Sequence, residues 1–241
     1  MPNDQPIGRR GLLRAGLVVG GLFAGTAAAG TAVHAQSVPS SSGTTTSDKR
    51  PATPDAAWAR LREGNRRWVA GTSTHPHQDA ARRAEVAQKQ DPFAVVFSCI
   101  DSRVAPELVF DTGLGDLFVL RTAGQTIDPL VTGSAEYGPA ELGTPLVVVL
   151  GHQRCGAVTA AAESLHDHKK LPGELSTIAS SLRSSYKRSG GDVDKMIRIH
   201  TIDVVNQLKK DRLFTPRLAK GQLKVIGAYY SIDTGEVSRL A

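Results

Sequence analysis

Short apolar runs punctuate the chain at regular intervals after its first 90 residues. They are rich in β-branched or aromatic residues and are bounded by turn-forming residues, which is the pattern of strands. The predicted strands are Phe93–Ser98, Asp116–Arg121, Pro145–Leu150, Leu223–Tyr230 and a short edge strand, Val237–Leu240. The first and third are apolar almost throughout, as expected for parallel strands that are buried on both faces.

Longer amphipathic stretches separate these runs. The predicted helices are Asp55–Ala70, Gln78–Lys89, Pro106–Phe110, Val131–Leu142, Gly156–Leu165, Ser176–Tyr186 and Val193–Lys210, with Asp55 as a possible N-cap of the first. The segments between strands are long enough for right-handed crossovers. The alternation predicts an α/β fold, a mostly parallel β-sheet flanked by helices.

The first 54 residues have a different pattern. Residues 1–35 contain Arg9 and Arg10, then an apolar run and a small-residue site before Gln36, which is the layout of a twin-arginine-type signal peptide. The alternative is a membrane anchor, but the run is rich in Gly and Ala and weakly hydrophobic for a stable span. Residues 36–54 are predicted to be a disordered Ser/Thr-rich linker and residues 55–241 the folded domain. The protein is therefore expected to be exported to the periplasm or beyond.

Charge and composition restrict the classes of partner. The formal net charge of the 241 residues is +6, and the predicted signal contributes +2 of it. Basic and acidic residues alternate along the presumed helices, and the basic residues do not form a patch interleaved with aromatic residues. A nucleic-acid partner is therefore not expected. The chain is 40% hydrophobic and 22% charged, which is ordinary for a globular domain with a core.

Reactive side chains follow two of the predicted strands. Cys99, Asp101 and Arg103 come after the first strand, and His152 and Cys155 come after the third. Open α/β sheets place their sites at the carboxyl ends of strands. Two thiolates and one imidazole suit Zn²⁺, and a catalytic zinc keeps its fourth position for water. The 53-residue gap between Cys99 and His152 is not a zinc-finger spacing. The prediction of one zinc ion per chain therefore depends on the fact that both groups of ligands follow the ends of predicted strands.

The same residues allow other interpretations. Cys99 and Cys155 are the only cysteines, and two cysteines in an exported protein form a disulfide by default, unless metal is loaded before export. A purely structural zinc site, closed by Asp101 as the fourth ligand, is a second alternative. Asp101 and Arg103 could form an ordinary exposed ion pair, or Arg103 could hold Asp101 so that it orients a zinc-bound water.

The remaining histidines have weaker claims to a metal. His75 and His77 flank a proline in a predicted loop, and His166 and His168 open a polar loop. Solvated loops explain both pairs better than metal ligation. His200 lies within a predicted helix and is expected to be a surface or packing histidine.

The segments Cys99-Ile-Asp-Ser-Arg103 and His152-Gln-Arg-Cys155-Gly resemble the β-class carbonic anhydrase signature. The similarity covers roughly residues 55–240. It also includes Glu63-Gly-Asn65, Pro106-Glu-Leu-Val-Phe110, Gly115-Asp-Leu-Phe118, Glu136-Tyr137 and Gly227-Ala-Tyr-Tyr230. The resemblance implies that Cys99, His152 and Cys155 bind zinc. Asp101 then either takes the fourth position, which closes the site, or pairs with Arg103 while water binds.

The resemblance also implies an activity, the reversible hydration of carbon dioxide to bicarbonate and a proton by attack of zinc-bound hydroxide on CO₂. Hydrolysis of CS₂ or COS on the same fold and zinc site is the alternative, since the same nucleophile attacks either molecule. Two thiolates cancel the charge of Zn²⁺, so the pKa of its water should fall less than at a three-histidine site. Activity is therefore expected to rise toward alkaline pH.

The resemblance assigns a substrate site and an assembly as well. Gln90 occupies the place of a glutamine that hydrogen-bonds substrate, Phe118 that of an aromatic residue lining the CO₂ pocket, and Gly156 is placed with them. Gln90 could equally be a loop residue and Phe118 a core residue of its strand. Because such groups cross a subunit interface in the family, a homodimer or tetramer is implied.

One position departs from the family pattern. Some bacterial members have an inhibitory bicarbonate site built from Trp, Arg and Tyr. Arg121 and Tyr137 match two of these positions, but Val96 stands at the Trp position. The resemblance therefore does not extend to that regulatory site.

Overall fold

Five strands form one sheet in the computed structural model, which describes residues 49–241. The strands are β1 Ala94–Cys99, β2 Leu117–Thr122, β3 Leu146–His152, β4 Lys224–Tyr230 and β5 Val237–Arg239. The order across the sheet is β2-β1-β3-β4-β5. The first four strands are parallel, and β5 pairs antiparallel with β4. The predicted α/β fold with a mostly parallel sheet is confirmed, and each strand lies within two residues of its predicted bounds.

Residues 49–241 also form nine α-helices and a 3-10 turn over Ala123–Gln125; α1 and α2 precede the first strand, and the others lie between strands. The helices are α1 Pro54–Ala70, α2 Ala80–Val86, α3 Pro106–Val109, α4 Pro129–Leu142, α5 Gly156–His166, α6 Leu175–Ser181, α7 Arg183–Ser189, α8 Val193–Lys209 and α9 Thr215–Ala219. The prediction of Asp55 as the N-cap of α1 is wrong. Thr53 is the cap, since its hydroxyl accepts a hydrogen bond from Ala56 N, and Asp55 lies in the first turn.

The prediction of a single helix over residues 176–186 is also wrong. It is two helices, α6 and α7, that meet at Leu182. Ser180 and Ser181 donate side-chain hydrogen bonds to backbone carbonyl groups of α6, which compete with regular helix hydrogen bonds. The break at Leu182 buries that side chain in the apolar cluster around Cys99 and Cys155.

Alternate residues of the central strands build a core on each face of the sheet. On one face, β1, β3 and β4 pack against α1 and α3; on the other, they pack against α4 and α8. Gly138 lets α4 approach β1 closely, because a Cβ atom there would lie 2.9 Å from Val95 Cγ2. The two packed faces fix the directions in which β1 and β3 end.

The predicted signal and most of the predicted linker lie outside the described residues. Of the linker, Arg50 is anchored, because its guanidinium donates to Pro92 O at 3.1 Å and pairs with Asp91. Across residues 49–241, helices of the length and apolar character needed to cross a membrane do not occur.

Candidate metal centre

Cys99, His152 and Cys155 lie together at the carboxyl edge of the sheet. Cys99 is the last residue of β1, His152 the last of β3, and Cys155 precedes α5. Their ligand atoms all lie within 4.8 Å of one another, and all three residues are buried. The parallel register of β1 and β3, with Ser98 opposite Leu150, brings the two strand ends to the same edge. Within residues 49–241, this is the one group of three or more His, Cys, Asp or Glu side chains that could hold a metal ion.

The imidazole of His152 has a defined tautomer. Its Nδ1 donates a hydrogen bond of 3.0 Å to the carbonyl oxygen of Gln153, so Nε2 carries the lone pair. Nε2 is buried, and within residues 49–241 it has no hydrogen-bond partner. An unpaired polar atom in a buried site is costly, whereas a metal ligand needs this free lone pair. Two thiol groups and this nitrogen therefore fit a zinc ion.

The two sulfur atoms lie 3.8 Å apart, and both cysteines are free. A disulfide needs about 2.05 Å between its sulfur atoms, so the disulfide interpretation does not describe this structure. The two sulfur atoms are within hydrogen-bond distance of each other, and the interaction with Cys155 is the main reason that the pKa of Cys99 is lowered. The same interaction, together with burial, raises the pKa of Cys155. Gly124 N also donates to Cys99 Sγ at 3.3 Å.

Asp101 and Arg103 form a two-pronged ion pair beside these ligands. Arg103 Nε donates to Asp101 Oδ1 at 2.9 Å, and Arg103 Nη2 donates to Oδ2 at 2.7 Å. These hydrogen bonds are the main reason that the pKa of Asp101 falls to about 2. Asp101 Oδ2 lies 4.0 Å from His152 Nε2, so the carboxylate borders the ligand group without belonging to it. The arrangement is the paired one of the two states predicted for Asp101.

Arg121, noted above only as a match to the regulatory site, contacts the backbone of the metal centre. Its Nε donates to the carbonyl oxygen of Cys99 at 2.8 Å, and its Nη2 donates to that of Asp101 at 2.7 Å. Arg121 lies on β2 opposite Ser98 of β1, so it ends at the same edge of the sheet. A charged residue near the end of an apolar strand was the available signal.

The three predicted substrate residues are divided between the two edges of the sheet. Gly156 begins α5 beside Cys155, and a Cβ atom there would meet nothing within 4 Å, so space is open next to the ligands. Phe118 pairs with Val95, four positions before Cys99. Gln90 is exposed in the loop before β1. The chain therefore does not bring Gln90 and Phe118 to its own cysteines.

Phe118 instead lines an open groove of about 490 Å³ between β2 and α4. Its ring meets that of Tyr137 edge to face, with centroids 5.7 Å apart. Leu130, also in the groove wall, is 82% exposed. Val96, at the position of the missing Trp, is fully buried.

Within residues 49–241, the ligand group contains none of the histidines at positions 75, 77, 166, 168 and 200. His77 Nδ1 contacts both carboxylate oxygens of Asp116, at 2.8 and 2.9 Å. His166 and His168 are exposed. His200 is a packing residue of α8, and its Nε2 donates to Gln125 O at 3.3 Å.

Comparison with known proteins agrees with this geometry. Residues 94–237 match the carbonic anhydrase family. Carbonic anhydrase 2 of Mycobacterium tuberculosis is 44% identical over 188 residues, which cover 76% of this chain and 90% of that protein. The β-carbonic anhydrase of Coccomyxa, solved with acetazolamide, is 27% identical with a TM-score of 0.57, over 74% of this chain and 83% of that one.

A tetrameric β-carbonic anhydrase of Sordaria macrospora has the same fold, with a TM-score of 0.60 at 22% identity, over 76% of this chain and 96% of that one. The family match spans more than half of the chain and includes the Cys99, His152 and Cys155 cluster. On this evidence the protein belongs to the β-carbonic anhydrases, lyases of the carbonate dehydratase class.

Proposed function

We propose that this protein catalyses the reversible hydration of CO₂ to bicarbonate and a proton with one zinc ion per subunit. The observation that carries the proposal is His152 Nε2, a buried lone pair without a hydrogen-bond partner in residues 49–241 that faces two thiol groups. Cys99, His152 and Cys155 would hold the ion. Bound zinc supplies Lewis acidity and lowers the pKa of a water molecule toward neutrality.

Asp101 is suited to orient the attacking water. A carboxylate has about four lone-pair sites. Arg103 N and Nε occupy two on Oδ1, and Arg103 Nη2 occupies one on Oδ2. Oδ2, the oxygen 4.0 Å from His152 Nε2, keeps a site for a hydrogen bond from water beside the ligands. Arg103 keeps the carboxylate ionised and turned toward itself, which leaves a coordination position for water.

The substrate pocket is proposed to be shared between subunits. Gln90 and Phe118 lie away from the cysteines of their own chain, and the apolar groove beside Phe118 exposes Leu130. Burying this groove against a second copy would carry both residues toward the partner's metal centre. A homodimer or a tetramer is therefore proposed, and the tetrameric relative from Sordaria macrospora supports an assembly of this kind.

Export through a twin-arginine pathway is proposed from Arg9, Arg10 and the apolar run that follows them. Replacing both residues by Lys should retain the protein in the cytoplasm. Cell fractionation tests this. Equal export of the double-Lys variant and the unchanged protein would contradict the proposal.

The activity is tested by stopped-flow CO₂ hydration with residues 36–241, beside Cys155→Ser as control. Two thiolates and a neutral imidazole offset the charge of Zn²⁺, so the pKa of its water should fall less than at a three-histidine site. Turnover should therefore rise from neutral to mildly alkaline pH. Metal analysis should give one zinc per chain, and the Ser variant should lose both zinc and turnover. Zinc-loaded protein without CO₂ turnover would contradict the proposal, and an assay with COS and CS₂ would then test the alternative substrates.

A further inference from the structure

Arg154 has an unusual backbone conformation between two metal-binding residues. Its φ is +52°, in the left-handed region, where residues with a side chain are disfavoured. The side chain is held at its far end by Asp233, through Nη1 to Oδ2 at 2.9 Å and Nη2 to Oδ1 at 2.5 Å. This exposed ion pair joins two parts of the chain that are far apart in sequence. It therefore constrains the segment around Arg154 in addition to neutralising surface charge.

Asp233 also holds the preceding residue. Gln153 Nε2 donates to Asp233 Oδ2 at 2.8 Å, and Asp233 N donates to Gln153 Oε1 at 3.2 Å. One aspartate thus binds two consecutive side chains of the His152–Cys155 segment.

The backbone carbonyls of these two residues touch the metal centre. Gln153 O accepts the hydrogen bond from His152 Nδ1 that sets the imidazole tautomer. Arg154 O accepts a hydrogen bond of 3.2 Å from Arg103 Nη2, the same nitrogen that holds Asp101. The two carbonyl groups therefore link Asp233 to His152 on one side of the site and to the Asp101–Arg103 pair on the other.

The turn that carries Asp233 is itself anchored. Ser231 N donates to Glu236 O at 2.9 Å, and Gly235 N donates to Ser231 O at 2.8 Å. Asn65 of α1, which is buried, donates to Gly235 O at 2.8 Å and accepts from Val237 N at the same distance. The turn is consequently a fixed support against the body of the domain.

We propose that Asp233 is a positioning residue for the metal centre. It holds Gln153 and Arg154 so that their carbonyl groups orient the His152 ring and the Arg103 guanidinium. Outer residues that orient metal ligands typically change metal affinity or activity by about 10- to 100-fold when they are replaced. Measurements on the zinc-loaded protein rest on the proposed function, whereas thiol labelling of the metal-free protein does not.

The test compares Asp233→Asn with Asp55→Asn. Asp55 is a matched control, because it forms an exposed, long-range ion pair with Lys224, at 2.5 Å, away from the metal centre. An exposed ion pair contributes little to global stability, so both variants should melt within a few degrees of the unchanged protein. In metal-free protein, Cys99 and Cys155 are the only thiols, and both are buried. Their labelling by N-ethylmaleimide should be several-fold faster in Asp233→Asn than in Asp55→Asn, because the loss of this anchor lets the segment beside Cys155 open more often.

The same pair of variants is then loaded with zinc. Zinc release to a chelator should be about tenfold faster in Asp233→Asn, and kcat/KM should fall by a similar factor, while Asp55→Asn behaves like the unchanged protein. Labelling and release rates that match between the two variants would overturn the positioning role. If the unchanged protein binds no zinc, the proposed function fails, and the labelling rates still decide the role of Asp233.

Arg154→Gly provides a second variant. Glycine adopts the left-handed conformation freely, so it removes the ion pair while it relieves the backbone strain. Faster thiol labelling in Arg154→Gly supports the positioning role. Slower or unchanged labelling would show that the Arg154–Asp233 ion pair does not hold this segment, and would overturn the positioning role.

Discussion

The guanidinium of Arg121 lies 2.8 Å from the carbonyl oxygen of Cys99, and the two residues belong to neighbouring strands. A second nitrogen of the same guanidinium holds the carbonyl oxygen of Asp101. Arg121 therefore fixes the backbone that carries one metal ligand and the carboxylate beside it. The planar geometry of arginine is needed for this double contact.

Replacing Arg121 by Lys should impair the site more than it impairs the fold. Lysine presents a single ammonium group and does not reproduce the fork that spans two carbonyl oxygens. We expect kcat/KM for CO₂ hydration to fall about tenfold, with a loss of unfolding free energy of about 1 kcal/mol. Arg83→Lys, on exposed α2, is the control for charge-preserving surface change. Activity equal in the two variants would show that Arg121 does not support the site.

Leu130 tests the proposed subunit interface. Its side chain is 82% exposed in the wall of the groove that contains Phe118. A buried glutamate would have to lose its hydration, so Leu130→Glu should convert the oligomer to monomer and remove most of the turnover. Light scattering after size-exclusion chromatography measures the mass. Leu175→Glu, at a position that is 50% exposed on α6, should change neither property. An intact oligomer in Leu130→Glu would place the interface elsewhere.

Gly64 packs so closely that it tolerates no side chain. A Cβ atom at this position of α1 would lie 1.8 Å from the carbonyl oxygen of Phe110. Helix propensity alone predicts that Gly64→Ala stabilises α1 by about 1 kcal/mol. Because α1 would have to move off α3, we expect instead a loss of about 3 kcal/mol, measured by urea unfolding. Ala56→Gly, an exposed change in the same helix, calibrates the propensity effect. A stabilised Gly64→Ala would show that α1 can move away from Phe110 at little cost.

His200 should make the domain less stable in mild acid. Burial is the main reason that its pKa falls below the ordinary value of 6.5, while nearby Asp203 and Arg188 act in opposite directions. As pH falls through about 6.5, the unfolded chain binds a proton that the folded protein excludes, so stability falls with pH.

The variant His200→Gln keeps a donor for Gln125 O without a titrating ring. Its unfolding free energy should depend less on pH between 7 and 5 than that of the unchanged protein. His166→Gln, at an exposed position, should keep the original slope. Identical slopes in all three proteins would assign the acid sensitivity to other groups.

The sheet was predictable because its signal is local. Strands such as Ala94–Cys99 and Leu146–His152 are buried at every position, and uninterrupted apolar runs of this length have few alternatives. The helices of residues 175–189 were harder to predict, because serine side chains that bond to nearby carbonyl groups leave no mark on hydrophobic periodicity. The cap at Thr53 was missed since Thr53 and Asp55 are both good capping residues.

The grouping of Cys99, His152 and Cys155 was predictable from residue types at strand ends, whereas the residues that support this group were not. Arg121 acts through its contacts with main-chain carbonyl groups of another strand, and such contacts depend on register rather than on sequence spacing. Asp233 contacts residues about 80 positions earlier in the chain. Phe118 and Gln90 were assigned by resemblance, and the single chain places them far from the cysteines. Long-range contacts of this kind appear only once the fold is known.

The sulfur atoms of Cys99 and Cys155 are 3.8 Å apart in space, although the residues are 56 positions apart in sequence. In the unfolded chain, closing a loop of that length costs entropy, so the two thiols seldom meet. The ligand set comes into existence only when β1 and β3 have paired side by side. Metal uptake would therefore be coupled to folding, because a captured ion would favour the paired sheet over the open chain by mass action. An ion bound to Cys99, His152 and Cys155 would thus cross-link β1 to the segment after β3, in addition to its proposed part in catalysis.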